Sequence, residues 1–164
     1  MLEGKLNAVH KVTIQPRGGA LGCVRPMPLQ EHYAITDKDM RAEIGMLFCG
    51  TIAEQKCGKG QGGGALSDLE KARRIARDMV MKYGMSSKFL SGVDASNKEV
   101  DDEVESILVE EYNKAENLIA NKIDDVAKVA NLLIEKGTVQ GDEIYRLLGK
   151  PEPKGIEFTL AGKK

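Results

Sequence analysis

Three helix start signals of the same kind recur along this chain, and they limit what it can fold into. Each is a Ser or Thr followed three residues later by an acid, an arrangement that caps the first turn of a helix. The pairs are Thr36 with Asp39, Ser67 with Glu70, and Ser96 with Glu99. Behind each pair, apolar residues recur every three or four positions, which is the spacing of one helix face. The sequence therefore predicts a mainly α-helical protein.

The first two helices are bounded by these start signals and by a glycine-rich segment. The first helix is predicted over about residues 37–56, and the segment 57–65 is predicted to be a flexible loop. The second helix is predicted to begin at Ser67 and to stop at Gly84, because glycine commonly ends helices. Its predicted buried stripe consists of Leu69, Ala72, Ile75, Ala76, Met79, Val80 and Tyr83.

The remaining helices are predicted to form a C-terminal helical hairpin. Apolar residues from Val100 onward alternate spacings of three and four, a pattern that requires a partner helix. The partner stripe is supplied by Ile123, Val126, Ala130 and Leu133. A short helix that carries Ile144 is predicted to follow Gly137 and to end at Gly149.

A small β-hairpin is predicted before the first helix. Residues 9–15 alternate in polarity and are followed by a Pro-Arg-Gly-Gly turn and a second apolar run at 20–24. The first strand is predicted to place His10, Val12 and Ile14 on one face. Pro26 and Pro28 are expected to interrupt regular structure until the first helix cap.

Composition and charge exclude several classes of function. Lys and Arg number 24 against 25 acids, so no strong field would attract nucleic acid. Only 4% of residues are aromatic, which favours a helical core of aliphatic side chains over a β-sandwich. The three cysteines form no C-x-x-C pair, which indicates a reducing, cytoplasmic location. No apolar run reaches the length of a membrane span, so no membrane segment is expected in this chain.

The side chains that could carry metal chemistry are few. A hydrolytic zinc site needs three protein ligands and an open position for water, and an H-E-x-x-H helix supplies two ligands and a base. His10 and His32 belong to no such motif and are expected to be packed or solvated. The acids of residues 99–111 are expected to lie mostly on a solvated helix face. An aspartate at position 68, just after the second start signal, could either cap the helix or bind a metal.

Several phrases in order resemble the C-terminal peptidase domain of the FtsH-type AAA zinc metallopeptidases. They are VHKVTIQPRGGALG at 9–22, ITDKDMRAEIGMLFCGTIAEQ at 35–55, GGGALSDLEKARRIARDMVMKYGMSSKFL at 62–90, and the predicted hairpin at 100–144. The resemblance implies a mainly α-helical peptidase domain over residues 1–149 and a loose tail over 150–164. It covers nearly the whole chain up to about residue 148.

The resemblance also implies a role for Asp68. The third zinc ligand of this family is the aspartate of an NDLEKAT-like segment, which here is SDLEKAR, so Asp68 occupies that position and Ser67 is left to cap the helix. The other two ligands and the catalytic glutamate of the family come from an H-E-x-x-H helix upstream of the VHKVTI strand. Only MLEGKLNA precedes that strand here, so the metal site is expected to be incomplete. No catalytic residue is assigned, and tight zinc binding by this chain alone is not expected.

Two functional interpretations remain open. The chain is either an N-terminally incomplete piece of an ATP-dependent zinc metalloendopeptidase, inactive by itself, or a non-catalytic pseudo-peptidase that serves assembly. In both cases the resemblance implies a homo-oligomer or association with related peptidase subunits. The ATPase module and membrane helices of the family are absent from this sequence.

Overall fold

A computed structural model describes residues 7–16, 22–28, 35–57, 65–87 and 96–153. The predicted turn at 17–19, most of the glycine-rich segment, His32 and residues 154–164 of the tail lie outside these residues. The prediction of a mainly α-helical chain with a small N-terminal sheet is confirmed. The chain divides into two compact units, which we call the helical unit, Ala34–Ile123, and the sheet unit, Met1–Tyr33 with Asp124–Lys164.

The helical unit contains α1, Asp37–Lys56, then α2, Ala65–Met81, and the first part of α3, Asn97–Lys136. The first and the third helix start signals both form complete capping boxes. The Thr36 side chain accepts from the Asp39 N–H at 3.3 Å, and the Thr36 N–H donates to the Asp39 carboxylate at 2.9 Å. At α3 the Ser96 hydroxyl accepts from the Glu99 N–H at 3.3 Å while the Ser96 N–H donates to that carboxylate at 3.1 Å. These local signals therefore predicted the helix starts correctly.

The second start signal was interpreted wrongly. α2 begins at Ala65, so Ser67 lies inside its first turn and is not its N-cap. Alanine and leucine are strong helix formers, so Ala65 and Leu66 favour a start before Ser67. The predicted stop is confirmed, since the helix ends at Met81 and Gly84 has a φ of +60°.

The buried stripe of α2 is narrower than predicted. Ala72, Ala76, Met79 and Val80 are buried, as expected from their spacing. Leu69 and Tyr83 at the two ends of the stripe are 41% and 52% exposed. The buried stripe of α2 therefore runs only from Ala72 to Val80.

The helical unit is closed by an aliphatic core and by ion pairs at its rim. Its fully buried side chains include Ile44 and Ile52 of α1, Met79 and Val80 of α2, and Val100, Val104 and Ile107 of α3. At the rim, Lys71 of α2 binds Glu43 of α1 at 2.7 Å. Arg77 of α2 binds Asp101 of α3 at 2.8 Å. The amphipathic pattern thus predicted the core, and the charges of α2 pair across helices.

The prediction of two C-terminal helical segments is confirmed. α3 consists of two helices that meet at a kink at Lys122, a non-helical residue with φ −125° and ψ 16°. The first segment contributes to the core of the helical unit, whereas Leu133 of the second segment packs in the core of the sheet unit. The spacing of apolar residues indicated that both segments need a packing partner. In the structure, the two segments pack in different units.

The sheet unit contains three antiparallel strands in the order β2-β1-β3, followed by one helix. The elements are β1, Asn7–Thr13, β2, Cys23–Pro28, β3, Thr138–Gln140, and α4, Gly141–Leu147. The predicted hairpin is therefore extended by a third strand that begins directly after Gly137, which has a φ of +70°. Pro26 and Pro28 were expected to interrupt regular structure, yet they lie within β2. β2 is an edge strand. A proline there costs the sheet no hydrogen bond where its nitrogen faces away from β1.

A β-bulge in β1 overturns the predicted strand phase. Val9 pairs with Pro26 and Lys11 pairs with the adjacent Arg25, so His10 is the additional residue. His10 is exposed, whereas Val9 is buried in the core cluster and Val12 packs against it. The bulge therefore brings residues three apart to the same side, which simple alternation could not predict.

The first turn of α4 lies directly on this bulge. The Tyr145 hydroxyl accepts a hydrogen bond from the Val9 N–H at 3.0 Å in a buried environment. A Cβ on Gly141 would overlap the Val9 carbonyl group, so only glycine fits this approach. The cluster of Val9, Leu133, Val139, Ile144 and Tyr145 forms the core of the sheet unit.

Candidate metal site

Asp68 lies in the first turn of α2, where it is half-buried. The first turn presents free backbone N–H groups, so a negative charge there is favourable. Leu66 and Leu69 on either side are 63% and 41% exposed. The aspartate therefore lies on an accessible apolar surface at the start of the helix.

The Asp68 carboxylate is not committed to a neighbouring cation. Within the part of the chain that the structure describes, it forms no hydrogen bond or ion pair. Lys71, one turn further along α2, binds Glu43 instead. A carboxylate in this position has the chemistry of a zinc ligand, for which Zn–O distances are about 2.0–2.2 Å.

The structure completes no group of three metal ligands around Asp68 among the described residues. No three His, Cys, Asp or Glu side chains within the described ranges are grouped closely enough to hold a metal ion. His10 lies on the sheet unit at the bulge, and His32 lies outside the described residues. Cys23 and Cys57 are exposed, while burial raises the pKa of the Cys49 thiol.

Two acids of the 99–111 run are buried, which differs from the predicted solvated face. The residues are Glu103 and Glu111, only 8% and 5% exposed. Both positions are in phase with the buried Val100, Val104 and Ile107, so the helical spacing contained the signal. Acidic chemistry alone is therefore a poor guide to exposure on a helix that packs on one face.

Glu103 holds the segment that follows α2. Its carboxylate accepts hydrogen bonds from the Ser87 N–H at 2.8 Å and the Ser87 hydroxyl at 3.0 Å. Ser87 also lines an open cleft of about 570 Å³. The other lining residues are Thr36, Asp37, Arg41, Met85 and Ser86. Glu103 thus fixes one wall of this cleft.

Glu111 belongs to a charge network between α1 and α3. Arg41 binds Glu110 at 2.9 Å and Glu111 at 3.1 Å, and Lys114 binds the same two acids at 2.6 and 3.0 Å. The hydrogen bond from Lys114, together with Arg41, lowers the pKa of Glu110. The hydrogen bonds that Lys114 donates to Glu110 and Glu111 raise the pKa of Lys114. The buried Glu111 carboxylate therefore has two cationic partners, which offset part of its desolvation cost.

Comparisons with known proteins support the family that the sequence resembles. The profile of Peptidase family M41 matches residues 1–95. The ATP-dependent zinc metalloprotease FtsH of Caldicellulosiruptor bescii is 38% identical over 85% of this chain and 26% of the relative. Its counterpart in Cupriavidus metallidurans is 32% identical over 96% of this chain and 28% of the relative. The chain thus spans about a quarter of the length of these relatives.

The helical fold, the small antiparallel sheet and the matched residues define a peptidase domain of the zinc metalloprotease class. No helix in the described ranges is both long enough and apolar enough to span a bilayer. The chain belongs to peptidase family M41 and is similar to the C-terminal region of FtsH proteases.

Proposed function

We propose that the chain is the C-terminal part of an ATP-dependent zinc metalloendopeptidase that degrades proteins in the cytoplasm. The match to peptidase family M41 and the identities of 32–38% to FtsH proteases support this function. We assign residues 1–149 to the peptidase domain and residues 150–164 to a tail beyond it.

Asp68 is the third zinc ligand in this proposal. The observation that carries it is a half-buried carboxylate, in the first turn of α2, without a charged partner among the described residues. Zinc bound there would polarise a peptide carbonyl and activate water. Two histidines and a glutamate base are also required, and these 164 residues contain no H-E-x-x-H motif. Other polypeptide must supply those residues, so this chain alone binds zinc weakly and does not cleave peptides.

Zinc binding before and after completion of the site tests this role. Calorimetry of the 164-residue chain should show no stoichiometric sub-micromolar site. A version extended at its N-terminus by an H-E-x-x-H helix should bind one zinc ion per chain. In the extended version, Asp68→Asn should weaken binding by tenfold or more, since one of three protein ligands loses its charge. Asp124→Asn, at an exposed aspartate of α3, is the matched control and should bind as the parent does.

Two outcomes would contradict the assignment. A sub-micromolar zinc site in the unextended chain would mean that its own residues form a complete ligand set. Unchanged zinc affinity in the extended Asp68→Asn variant would remove Asp68 from the site. Peptidase activity, measured in parallel, separates zinc binding from catalysis.

A non-catalytic assembly role is the alternative function. The exposed apolar residues Leu66 and Leu69 beside Asp68 favour a surface that another polypeptide covers. In this proposal the chain forms a homo-oligomer or joins related peptidase subunits. Light scattering between 1 and 200 µM protein tests it, and a strictly monomeric chain throughout that range would contradict self-association.

A further inference from the structure

The outer face of the three-stranded sheet is polar across all three strands. Neighbouring residues of a strand alternate faces, and Val12 packs against the core of the sheet unit, so Lys11 points to the opposite side. Lys11 pairs in register with Arg25 on β2 and Gln140 on β3. The next row on this face consists of Thr13, Cys23 and Thr138. We call these six residues the outer sheet face.

The outer sheet face places two positive charges directly opposite each other. Like charges at paired positions of an antiparallel sheet destabilise it. In the same unit, Lys136 binds Glu143 at 2.7 Å and Arg146 binds Asp142 at 3.2 Å. Lys11 and Arg25 bind no carboxylate among the residues that the structure describes. Arg25 is also exposed, so its guanidinium is accessible from solvent.

We propose that the outer sheet face docks an acidic polypeptide segment, with one carboxylate held between Lys11 and Arg25. The planar guanidinium of Arg25 matches a carboxylate in a bidentate arrangement, and the Lys11 ammonium adds a second charge. Gln140 and the two threonine hydroxyls offer hydrogen bonds to the rest of the segment. A bound carboxylate would remove the repulsion between the two cations.

The side chains of the outer sheet face favour an acidic polypeptide over nucleic acid, a membrane or an added strand. None of its six side chains is aromatic, so it offers no stacking surface for nucleic-acid bases. It carries no large aliphatic side chain that could enter a membrane. Strand addition at β2 is impeded because Pro26 and Pro28 have no N–H to donate. At the β2 edge, the segment is therefore recognised through side chains on the face and not by extension of the sheet.

Fluorescence anisotropy with the whole 164-residue protein tests the proposal. The probe is a labelled ten-residue peptide of alternating Glu and Gly, with a Gln-Gly peptide as the uncharged comparison. The double variant Lys11→Gln/Arg25→Gln should bind the acidic probe about tenfold more weakly, as expected for the loss of two ion pairs at the protein surface. Lys38→Gln/Lys98→Gln removes two exposed cations of the helical unit and should bind as the parent does.

Thermal stability supplies a second, independent readout. Because the paired cations repel each other, Lys11→Gln/Arg25→Gln should melt at the same or a higher temperature than the parent. Weaker binding with undiminished stability separates a docking role from a structural one. Equal affinity of the double variant and its control would overturn the proposal, as would absence of probe binding at millimolar concentration. Tighter binding of an oligonucleotide of equal charge would also overturn it. Neither variant involves the residue assigned to zinc.

Discussion

Gly141→Ala is expected to destabilise the sheet unit more than any other Gly-to-Ala change in the described chain. An alanine Cβ at this position would overlap the carbonyl oxygen of Val9 and lie 3.2 Å from the carbonyl oxygen of His10. Both neighbours are backbone atoms of β1, so no side-chain rotation can make room. The start of α4 must therefore move away from the strand.

The expected cost follows from two contributions. Overpacking against a fixed backbone costs about 1–3 kcal/mol. Displacement of α4 also weakens the buried hydrogen bond from the Val9 N–H to the Tyr145 hydroxyl, which contributes about 1 kcal/mol. The free energy of unfolding should fall by about 2–4 kcal/mol. For a chain of this length, that lowers the melting temperature by roughly 4–15 °C.

Gly50→Ala is the matched control, because it makes the same chemical change in open space. Gly50 lies inside α1, and apart from its chain neighbours and the backbone of the helix itself no atom is within 4 Å of a Cβ placed there. Alanine is favoured over glycine inside a helix by up to about 1 kcal/mol, so this variant should be slightly more stable than the parent. The same substitution should thus have opposite signs at the two positions.

Thermal and urea unfolding followed by circular dichroism measures both variants. Hydrogen–deuterium exchange then localises the effect, which should appear in β1 and α4 for Gly141→Ala and in α1 for Gly50→Ala. An unfolding midpoint for Gly141→Ala equal to that of the parent would refute the close approach of α4 to β1. Faster exchange confined to the helical unit would refute the proposed location of the strain.

Three further substitutions test single interactions by urea unfolding. Tyr145→Phe should cost about 1–3 kcal/mol, because it leaves the buried Val9 N–H without its acceptor. Ser96→Ala should cost about 1 kcal/mol by removing the cap of α3. Glu110→Gln tests pH dependence. The hydrogen bond from Lys114 lowers the pKa of Glu110 from its ordinary value of 4.5, so the ionised carboxylate stabilises the folded state at pH values above 4.5. That contribution is lost as pH falls through the folded-state pKa, so the stability difference from the parent should be present at pH 7 and should shrink below pH 4.5.

Each of these changes has a control at an exposed position. Tyr83→Phe removes a hydroxyl from a tyrosine that is 52% exposed and should leave stability unchanged. Ser106→Ala, inside α3, should be neutral or slightly stabilising, because alanine is the better helix former. Glu70→Gln makes the same chemical change at an exposed position of α2 and is the control for Glu110→Gln. If a control matched its test variant, the interaction assigned to that variant would be wrong.

The sequence predicted most of the helix boundaries because their signals are local. The capping boxes at Thr36 and Ser96 each join residues three positions apart, and both form as expected. The position of Asp68 came from resemblance to a family motif, and no spacing rule could have selected it among the other acids. Glu103 and Glu111 were missed, although their helical phase placed them among buried apolar residues. For those two acids, periodicity was the better guide than charge.

The tertiary structure decided the features that depend on residues far apart in the chain. α4 packs on the bulge that exposes His10. A hydrogen bond there joins Val9 to Tyr145, which lies 136 residues later in the sequence. The two segments of α3, which meet at the kink at Lys122, contribute to different cores. Spacing shows which face of an element must be buried, but not which element buries it. That choice depends on the free energy of long-range packing, which no local pattern contains.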